Sequence, residues 1–423
     1  MLIPLGSDSW FGLDQLDSGQ LDPDERECAV ATLAAINWQS LLTIASNLRN
    51  GANPRNDSNL PSGSNPHTDS NPRDGVSCTF TESFTMGQSN MVRRIQFSDG
   101  ISWVARVRIT QPDKSIPTGR ELLGFADVVG IEVASMKFFK AKTSIPVPEV
   151  HCYNTDPENE VGAPYILMDY IHGTAADKLS HARCDPDMYG TPDQDRRFRE
   201  QMAEIQVTIS TFKFNKIGSL HYDETTSEFF IGPELETGKG PWNSSMEYYN
   251  DLADHVLQVC ERNASSKLRE SPSFENPNLF KHLMPLYSSS NQGPFSLVDR
   301  DFGANNILVD DEFRIIGVID FDGVMAAPIE VVAQFPSLTG LDRDILRHIE
   351  TLPIAKECIK PKLEDYKEMI QDAESKLGSG IADLLFADAT YVYYGLKAYK
   401  SHQVWVNDNF MVAYQNLLRD YEK

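Results

Sequence analysis

Polar side chains flank two short apolar runs between residues 297 and 323, "LVDRDFGANNILVDDEFRIIGVIDFDG". Asp301 precedes the first run, Asn306 begins it, and Asp320 follows the second run. The acidic segment "DDEF" between the runs predicts a β-hairpin, and an antiparallel hairpin brings its two outer ends together. We therefore expect these three side chains at one mouth, where two carboxylates and an amide form a hard oxygen site suited to Mg²⁺.

Phosphoryl transfer uses such a set of groups. One Asp orients the attacking hydroxyl and accepts its proton, while an Asn and a second Asp hold the metal ions that bridge the phosphates. The spacing D-x-x-x-x-N from Asp301 to Asn306 is that of a kinase catalytic loop. We therefore predict that Asp301 is the proton acceptor, that Asp320 is a metal ligand, and that the literal DFG triplet at 301–303 is accidental.

A solvated turn is the alternative interpretation of these residues. The pattern D-x-x-x-x-N occurs by chance in many proteins, and acidic residues at a hairpin mouth are often only hydrated. We expect this of Asp310 and Asp311, which lie in the hairpin turn.

The elements before this hairpin predict a small sheet. Three short β-rich segments follow one another from residue 76 to about 110: "VSCTFTESF", "NMVRRIQFS" and "ISWVARVRI". Ser98, Asp99 and Gly100 are a hairpin signal between the last two segments. The segment "APYILMDYIHG" predicts a further buried strand.

Helices account for most of the remaining predicted structure. One helix carries Glu132, Met136 and Phe139 on one face and ends before the prolines of "SIPVPEV". The chain beyond about residue 175 is predicted to be mostly helical, apart from the hairpin. Its last part contains three amphipathic segments, near 361–377, 381–400 and 405–422. The order of elements predicts an α+β fold in two unequal lobes.

The first 75 residues are predicted to form an extension. One helical segment begins at Pro23, with Asp22 as its N-cap, and ends near Gly51. Its apolar residues recur at helical spacing, at Trp38, Leu41, Leu42, Ala45 and Leu48. Residues 50–75 are rich in Asn, Ser, Pro and Gly, which predicts a flexible linker and a boundary.

Composition limits the classes of function and location. The 423 residues suggest two or three units, and no apolar run reaches the roughly 18 residues of a membrane helix. The first residues carry no signal-peptide pattern, and the six scattered cysteines favour reduced thiols. We therefore expect a cytoplasmic protein that does not bind a membrane.

The net charge of -23 argues against nucleic acid as a partner. The same charge is compatible with a cationic substrate, although acidity that serves only solubility is the better supported explanation.

The quoted hairpin also carries a family resemblance. The chain resembles the aminoglycoside phosphotransferase/choline-kinase superfamily, in particular its fungal phosphotransferase-like branch. The signature of that family is a histidine, one residue, the catalytic Asp, four residues and Asn, followed by a strand that ends in I-D-W or I-D-F. The corresponding segments here are "DRDFGANN" and "GVIDFDG". Further blocks follow the family order between about 76 and 335: "GQSNMVRRIQFSDGISWVARV", "EVASMKFFKAKTSIPVPEV", "VGAPYILMDYIHG", "FKFNKIGSLHYD" and "APIEVVAQFP".

The resemblance implies a protein-kinase-like two-lobe α+β fold, with a small antiparallel-sheet N-lobe and a large, mainly helical C-lobe. Residues 1–75 would be an N-terminal helical extension and linker, residues 76–170 the nucleotide-binding N-lobe, and residues 171–423 the C-lobe with the catalytic loop and acceptor site. The implied activity is transfer of the γ-phosphate of ATP or GTP, with Mg²⁺, to a hydroxyl of an unidentified small molecule.

The resemblance also implies individual roles. Asp301 would be the catalytic base, Asn306 and Asp320 the magnesium ligands, and Asp322 an additional contact near the metal. Arg106 would stand where kinases keep a phosphate-gripping lysine, with Glu132 as its ion-pair partner. The residues implied to contact the nucleotide further include a phosphate loop from Gly87 to Asn90 that contains Ser89, and a hinge formed by the backbone of Met168, Asp169, Tyr170 and Ile171.

The chain departs from the family pattern in three places. Asp299 replaces the family histidine, Gly87 is the only glycine of the phosphate loop, and Arg106 replaces the lysine. Two other hypotheses therefore stand beside the kinase: the same fold recruited for a non-phosphoryl reaction in specialised metabolism, and a nucleotide-binding pseudokinase without turnover.

Overall fold

The computed structural model divides into two compact units. One unit comprises Met1–Pro112 with Glu149–Tyr170, and the other comprises Asp113–Pro148 with Ile171–Lys423. The residues that the structure describes are 10–13, 16, 23–51, 75–87, 89–109, 125–183, 188–263, 274, 276–341, 353–401, 414–417 and 419.

An antiparallel sheet of six strands forms the centre of the first unit. The strand order is β1-β2-β3-β4-β6-β5, and every neighbouring pair runs antiparallel. The turn at Ser98–Gly100 joins β3 to β4, with Gly100 at a φ of 88°, which confirms the predicted hairpin. The strands are β1 (Phe11–Gly12), β2 (Cys78–Met86), β3 (Asn90–Phe97), β4 (Ser102–Arg108), β5 (Val150–Asn154) and β6 (Tyr165–Asp169).

Two helices, α1 (Pro23–Ala35) and α2 (Trp38–Arg49), cover one face of this sheet. The prediction of one helical segment is wrong, because the helix ends at Ala35 and a second begins after Asn37. The side chain of Asn37 accepts a hydrogen bond from the backbone N–H of Ser40 at 3.2 Å and so caps α2. The predicted cap Asp22 and most of the predicted linker, 52–74, lie outside the described residues.

Side-chain alternation assigns each strand residue to a face. Trp103, Ala105 and Val107 pack with Leu41 of α2 in one apolar cluster. The intervening positions of β4, including Arg106, therefore lie on the opposite face. Val92 of β3 is directly opposite Arg106 in the antiparallel register.

The second unit contains α3 (Phe125–Lys142), which carries Glu132. The prediction placed this helix with the sheet of residues 76–170, but its contacts group it with residues 171–423. Aromatic packing is the physical reason. The ring of Phe138 lies 4.9 Å from that of Phe212, and the ring of Phe139 lies 5.5 Å from that of Phe321.

Two small sheets accompany the helices of the second unit. A five-stranded sheet has the order β10-β9-β14-β11-β8, and a three-stranded sheet has the order β13-β12-β7. The three-stranded sheet contains the predicted hairpin, whereas the larger sheet was not predicted. The strands are β7 (Thr174–Ala175), β8 (Lys213–Phe214), β9 (Gly218–Asp223), β10 (Glu228–Gly232), β11 (Phe295–Asp299), β12 (Ile307–Val309), β13 (Ile315–Val318) and β14 (Val324–Ala327).

Helices make up most of the rest of the second unit. The described residues therefore confirm the predicted α+β fold, in which the chain forms an antiparallel sheet and then a mainly helical part. The last predicted segment, 405–422, falls almost wholly outside the described residues. The helices are α4 (Ala176–Ala182), α5 (Pro192–Ser210), α6 (Ser245–Asn263), α7 (Asn276–Tyr287), α8 (Ile329–Val332), α9 (Pro353–Leu377) and α10 (Asp388–Ser401).

No single helix in the described part of the chain is long and apolar enough to span a membrane. By length and composition alone, the pair α1 and α2 would pass the same test together, with a bend of 61° between them.

We expect Leu41→Ala to lower the free energy of unfolding of the first unit by about 2–5 kcal/mol, because Leu41 is fully buried and the truncation leaves a cavity. Asn47→Ala, an exposed change on the same helix, should alter stability by no more than about 0.5 kcal/mol. Urea unfolding measures both values. Equal effects would mean that α2 does not pack on the sheet.

Candidate active site

Two loops of the second unit lie side by side because their flanking strands pair. β11 pairs with β14, with Asp299 opposite Val324, and β12 pairs with β13, with Ile307 opposite Val318. The segments 300–306 and 319–323 therefore connect the same pair of sheets and meet at one end. This confirms the antiparallel hairpin predicted from the sequence.

Asn306 joins the two loops. Its Nδ2 donates hydrogen bonds to the backbone oxygen and to Oδ2 of Asp301, both at 3.0 Å. Its own backbone oxygen accepts a bond from the N–H of Ile319 at 3.0 Å. Asn306 is buried, and the amide therefore holds the Asp301 carboxylate in one orientation.

The carboxylates of the two loops interact through their charges. The pKa of Asp301 is raised to about 6, first by burial and then by the negative charges of Asp320 and Asp322, whereas the hydrogen bond from Asn306 and the charge of Lys397 oppose the rise. Asp320 has a φ of 64°. That left-handed conformation is uncommon outside glycine and is found at functional sites.

Asp299 braces the backbone of the first loop. Its Oδ1 accepts a hydrogen bond from the N–H of Asp301 at 3.1 Å. The pKa of Asp299 is raised well above its usual value, first by burial and then by the charge of Asp301. Gly323 packs against the same groups, because a Cβ there would lie 3.2 Å from Asp299 Oδ1 and 3.3 Å from Asp301 N.

A buried ion cluster around Arg300 was not predicted from the sequence. Its guanidinium contacts the carboxylates of Glu234 at 2.6 Å and Glu236 at 3.0 Å. Glu234 is fully buried and also accepts hydrogen bonds from the backbone N–H groups of Glu236 and Thr237, both at 2.8 Å. Because Arg300 lies between Asp299 and Asp301, this cluster anchors the loop that carries the candidate base.

The residues of the predicted phosphate loop lie in the first unit. Gly87 and Asn90 close a tight turn between β2 and β3, in which the N–H of Gly87 donates to the backbone oxygen of Asn90 at 2.9 Å. With the Asn90 amide oriented to satisfy both neighbours, its oxygen accepts from Nη2 of Arg106 at 2.9 Å and its nitrogen donates to the backbone oxygen of Ser89 at 3.2 Å. Arg106 is thus brought to this turn.

Two backbone N–H groups of the predicted hinge already form hydrogen bonds within the first unit. The N–H of Asp169 donates to the backbone oxygen of Glu149 at 3.0 Å, and the N–H of Tyr170 donates to the backbone oxygen of Ser102 at 3.2 Å. Met168 is buried in β6. Ile171 belongs to the second unit, where its backbone oxygen accepts from the N–H of Gly173 at 3.0 Å.

Glu132 is buried in α3 of the second unit, whereas Arg106 is buried in β4 of the first. The ion pair between them stays a prediction.

The residues at the two loops fit magnesium together with a phosphate ligand. Within the described residues, no group of three or more His, Cys, Asp or Glu side chains is placed to hold a metal by itself. Mg²⁺ commonly uses one or two carboxylates and takes its remaining ligands from water and substrate phosphates. Asn306 and Asp320 offer such oxygens, and a dication would relieve the repulsion among the neighbouring carboxylates that raises the pKa of Asp301.

The chain belongs to the phosphotransferase enzyme family, whose model matches residues 81–331. That match contains both loops, the strands β3 to β6 and the helix α3. The fold is accordingly the kinase-like α+β fold that the sequence resemblance implied.

Curated relatives cover only part of the chain. A subtelomeric hrmA-associated cluster protein of Aspergillus fumigatus is 36% identical over 302 residues, which cover 56% of this chain and 58% of the relative. Altered inheritance of mitochondria protein 9, mitochondrial, of Candida tropicalis is 28% identical over 200 residues, which cover 36% and 32%. The chain therefore spans about a third to three fifths of the length of these relatives.

Among solved structures, a thermostable mutant of aminoglycoside phosphotransferase APH(4)-Ia, in a ternary complex with ADP and hygromycin B, resembles the chain with a TM-score of 0.44 and 17% identity. The superposition covers 82% of this chain and 94% of that one.

We expect Asp299→Asn to raise the free energy of unfolding relative to the wild type at about pH 8, by an amount that shrinks as the pH falls. Because the folded pKa of Asp299 is raised, protonation favours folding. That contribution is fully present below the unfolded pKa of about 3.9 and is lost as the pH rises through the folded pKa. Asparagine keeps an acceptor for the N–H of Asp301 and does not titrate.

Urea unfolding of both proteins across this pH range, with a chelator present, measures the difference. Asp311→Asn, at an exposed turn position, is the matched control and should leave the pH dependence unchanged. If the two proteins differ in free energy of unfolding by the same amount at every pH, the pKa of Asp299 is not raised in the folded protein.

Proposed function

We propose that the chain is a small-molecule kinase that moves the γ-phosphate of ATP or GTP to a hydroxyl group. The observation that carries the proposal is the pair of hydrogen bonds from Asn306 to Asp301, beside the loop of Asp320. A base, an amide and a second carboxylate are the groups that a phosphoryl-transfer site requires. Membership of the phosphotransferase family supports the same reaction class.

In the proposed reaction, Asp301 accepts the proton of the acceptor hydroxyl. The acceptor oxygen forms a bond to the γ-phosphorus, the bond from that phosphorus to the bridging oxygen breaks, and the nucleoside diphosphate leaves with the electron pair. Magnesium, when bound, would neutralise phosphate charge. Asn306 and Asp320 would hold it, and Asn306 would at the same time fix the orientation of the base.

The nucleotide is proposed to bind on the sheet face that carries Arg106. The guanidinium of Arg106 keeps a positive charge and a bidentate fork that suits phosphate oxygens. The turn at Gly87–Asn90 would lie over the phosphates, and the backbone at Met168–Ile171 would receive the base.

A fold recruited for another reaction is the alternative. The observation that favours it is the shortage of backbone donors for a nucleotide: the N–H groups of Gly87, Asp169 and Tyr170 already bond within the first unit. Binding of Mg-ATP separates the two proposals, since only the kinase requires it.

We expect Asp301→Asn to lower the rate of phosphoryl transfer by about 10²–10⁴-fold, because it removes the base, and to leave Mg-ATP binding nearly intact. Asp320→Asn should weaken Mg-ATP binding itself, because it removes a charged metal ligand. Binding is measured by thermal shift with Mg-ATP, where saturation at a hundredfold excess stabilises the protein by about 2.7 kcal/mol. Turnover is measured as nucleotide hydrolysis with and without a metabolite library.

The control is Asp383→Asn, at an exposed position in a short 3₁₀ turn, which should change neither measurement. Exchanged phenotypes for Asp301 and Asp320 would make the triplet at 301–303 the metal site. Absence of any Mg-ATP shift in the wild type would contradict the kinase proposal and favour the recruited fold.

We further propose that Asp299 takes the place of the catalytic-loop histidine of the family, by accepting the N–H of Asp301. Asp299→His should therefore retain phosphoryl transfer, whereas Asp299→Leu leaves a buried N–H without its acceptor, which costs about 1–3 kcal/mol. The expected result is a fall in kcat for the leucine variant with little change in the KM for ATP. Equal activity of both variants would show that position 299 does not brace the loop.

A further inference from the structure

A cavity of about 310 Å³ in the second unit reaches the candidate base. Asp301 and Phe302 line one side, and α10 lines another through Tyr393, Tyr394 and Lys397. The volume lies at the lower end of the range for small-molecule pockets. A hydroxyl compound bound in this cavity would therefore lie within the same enclosure as Asp301.

Four charged residues are among the described residues that line the cavity. Asp299 is buried and bonded to the backbone of Asp301. The guanidinium of Arg300 is turned to Glu234 and to a second glutamate of the same loop. The other charged groups of the described lining are the carboxylate of Asp301, which the reaction uses, and the ammonium of Lys397, which also has partners within the protein.

Lys397 is held beside the candidate base. Its Nζ donates a hydrogen bond to the backbone oxygen of Arg300 at 2.9 Å, and its positive charge acts on Asp301. The residue as a whole is exposed, so a solute can reach it from solvent. Lys397 therefore presents a positive charge to the cavity close to the group that would accept the proton.

Apolar and aromatic side chains complete the walls. Phe335, Leu341 and Val331 line the cavity together with the rings of Tyr393 and Tyr394. These residues favour a molecule with a flat or branched apolar part. A compound with several ammonium groups would find no carboxylates among the described lining residues beyond Asp299 and Asp301.

We propose that the acceptor is a small hydroxyl compound with an apolar, ring-sized body and a single anionic group such as a carboxylate, and that Lys397 pairs with that anion. This inference rests on the proposed kinase function, because only a kinase would use the bound compound as a phosphate acceptor. Its hydroxyl would face Asp301 and react as described above, and polycationic hydroxyl compounds would be excluded.

The test compares three hydroxyl compounds that share one ring skeleton and differ in charge: phenyllactate, phenyllactamide and phenylalaninol, with kanamycin as a polycation. Binding to the full chain is measured calorimetrically without nucleotide, so the outcome does not depend on whether Mg-ATP binds. We expect phenyllactate to bind about fivefold to tenfold more tightly than phenylalaninol, because an accessible ion pair contributes a factor of this size.

Variants of Lys397 identify the source of this preference. Lys397→Met should reduce the preference to about twofold or less, Lys397→Arg should keep it, and raised salt should weaken it in the wild type. Lys360→Met is the matched control, since Lys360 is an exposed lysine paired with Glu364 on α9. If Lys397→Met does not fold, the salt dependence and Lys397→Arg still test the charge preference.

Three results would overturn the proposal: phenylalaninol or kanamycin binding as tightly as phenyllactate, a preference that survives Lys397→Met, or no binding of any probe at millimolar concentration. A chain that binds Mg-ATP but fails this test keeps the proposed function and loses the acceptor class. A chain that passes it without binding Mg-ATP keeps the anion site and loses the kinase.

Discussion

Repulsion among carboxylates held close together is the constraint on which the candidate site depends. Burial and the charges of Asp320 and Asp322 raise the pKa of Asp301 to about 6. The pairing of β11 with β14 and of β12 with β13 forces the loops together, so the sheets supply the energy that keeps like charges adjacent.

The ion pairs of Arg300 with Glu234 and Glu236 oppose that repulsion by holding the loop in place. Removing one partner of a buried ion pair typically costs several kcal/mol, since the other charge is left uncompensated. Glu234 is surrounded by the guanidinium and by N–H donors of its own turn, so its charge is satisfied on several sides. The ion pairs of Arg300 thereby hold the loop between Asp299 and Asp301 in place, although the repulsion among the neighbouring carboxylates favours their separation.

Local patterns account for what was predictable. The apolar runs around an acidic turn predicted the hairpin, and the hairpin predicted that Asp301 and Asn306 lie at its mouth, because the pairing involves residues close in sequence. The contact of Arg300 with Glu236 joins residues 64 positions apart and leaves no periodic signal. The break at Asn37 was missed because the apolar periodicity that predicted the helix begins only at Trp38 and says nothing about the residues before it. The grouping of α3 depends on aromatic contacts with distant strands.

Local charge, rather than net charge, decides which solutes the cavity favours. The chain carries a net charge of -23, which taken alone would favour a cation. Fields from exposed carboxylates fall off over a Debye length of about 10 Å in salt, whereas Lys397 acts within the cavity itself. The acidic groups that act on Lys397 are Asp301, then Glu236 and Asp299. Glu236 also bonds to Arg300, and Asp299 bonds to the backbone. A global negative charge is therefore compatible with a cavity in which Lys397, among the described lining residues, offers a positive charge beside the base.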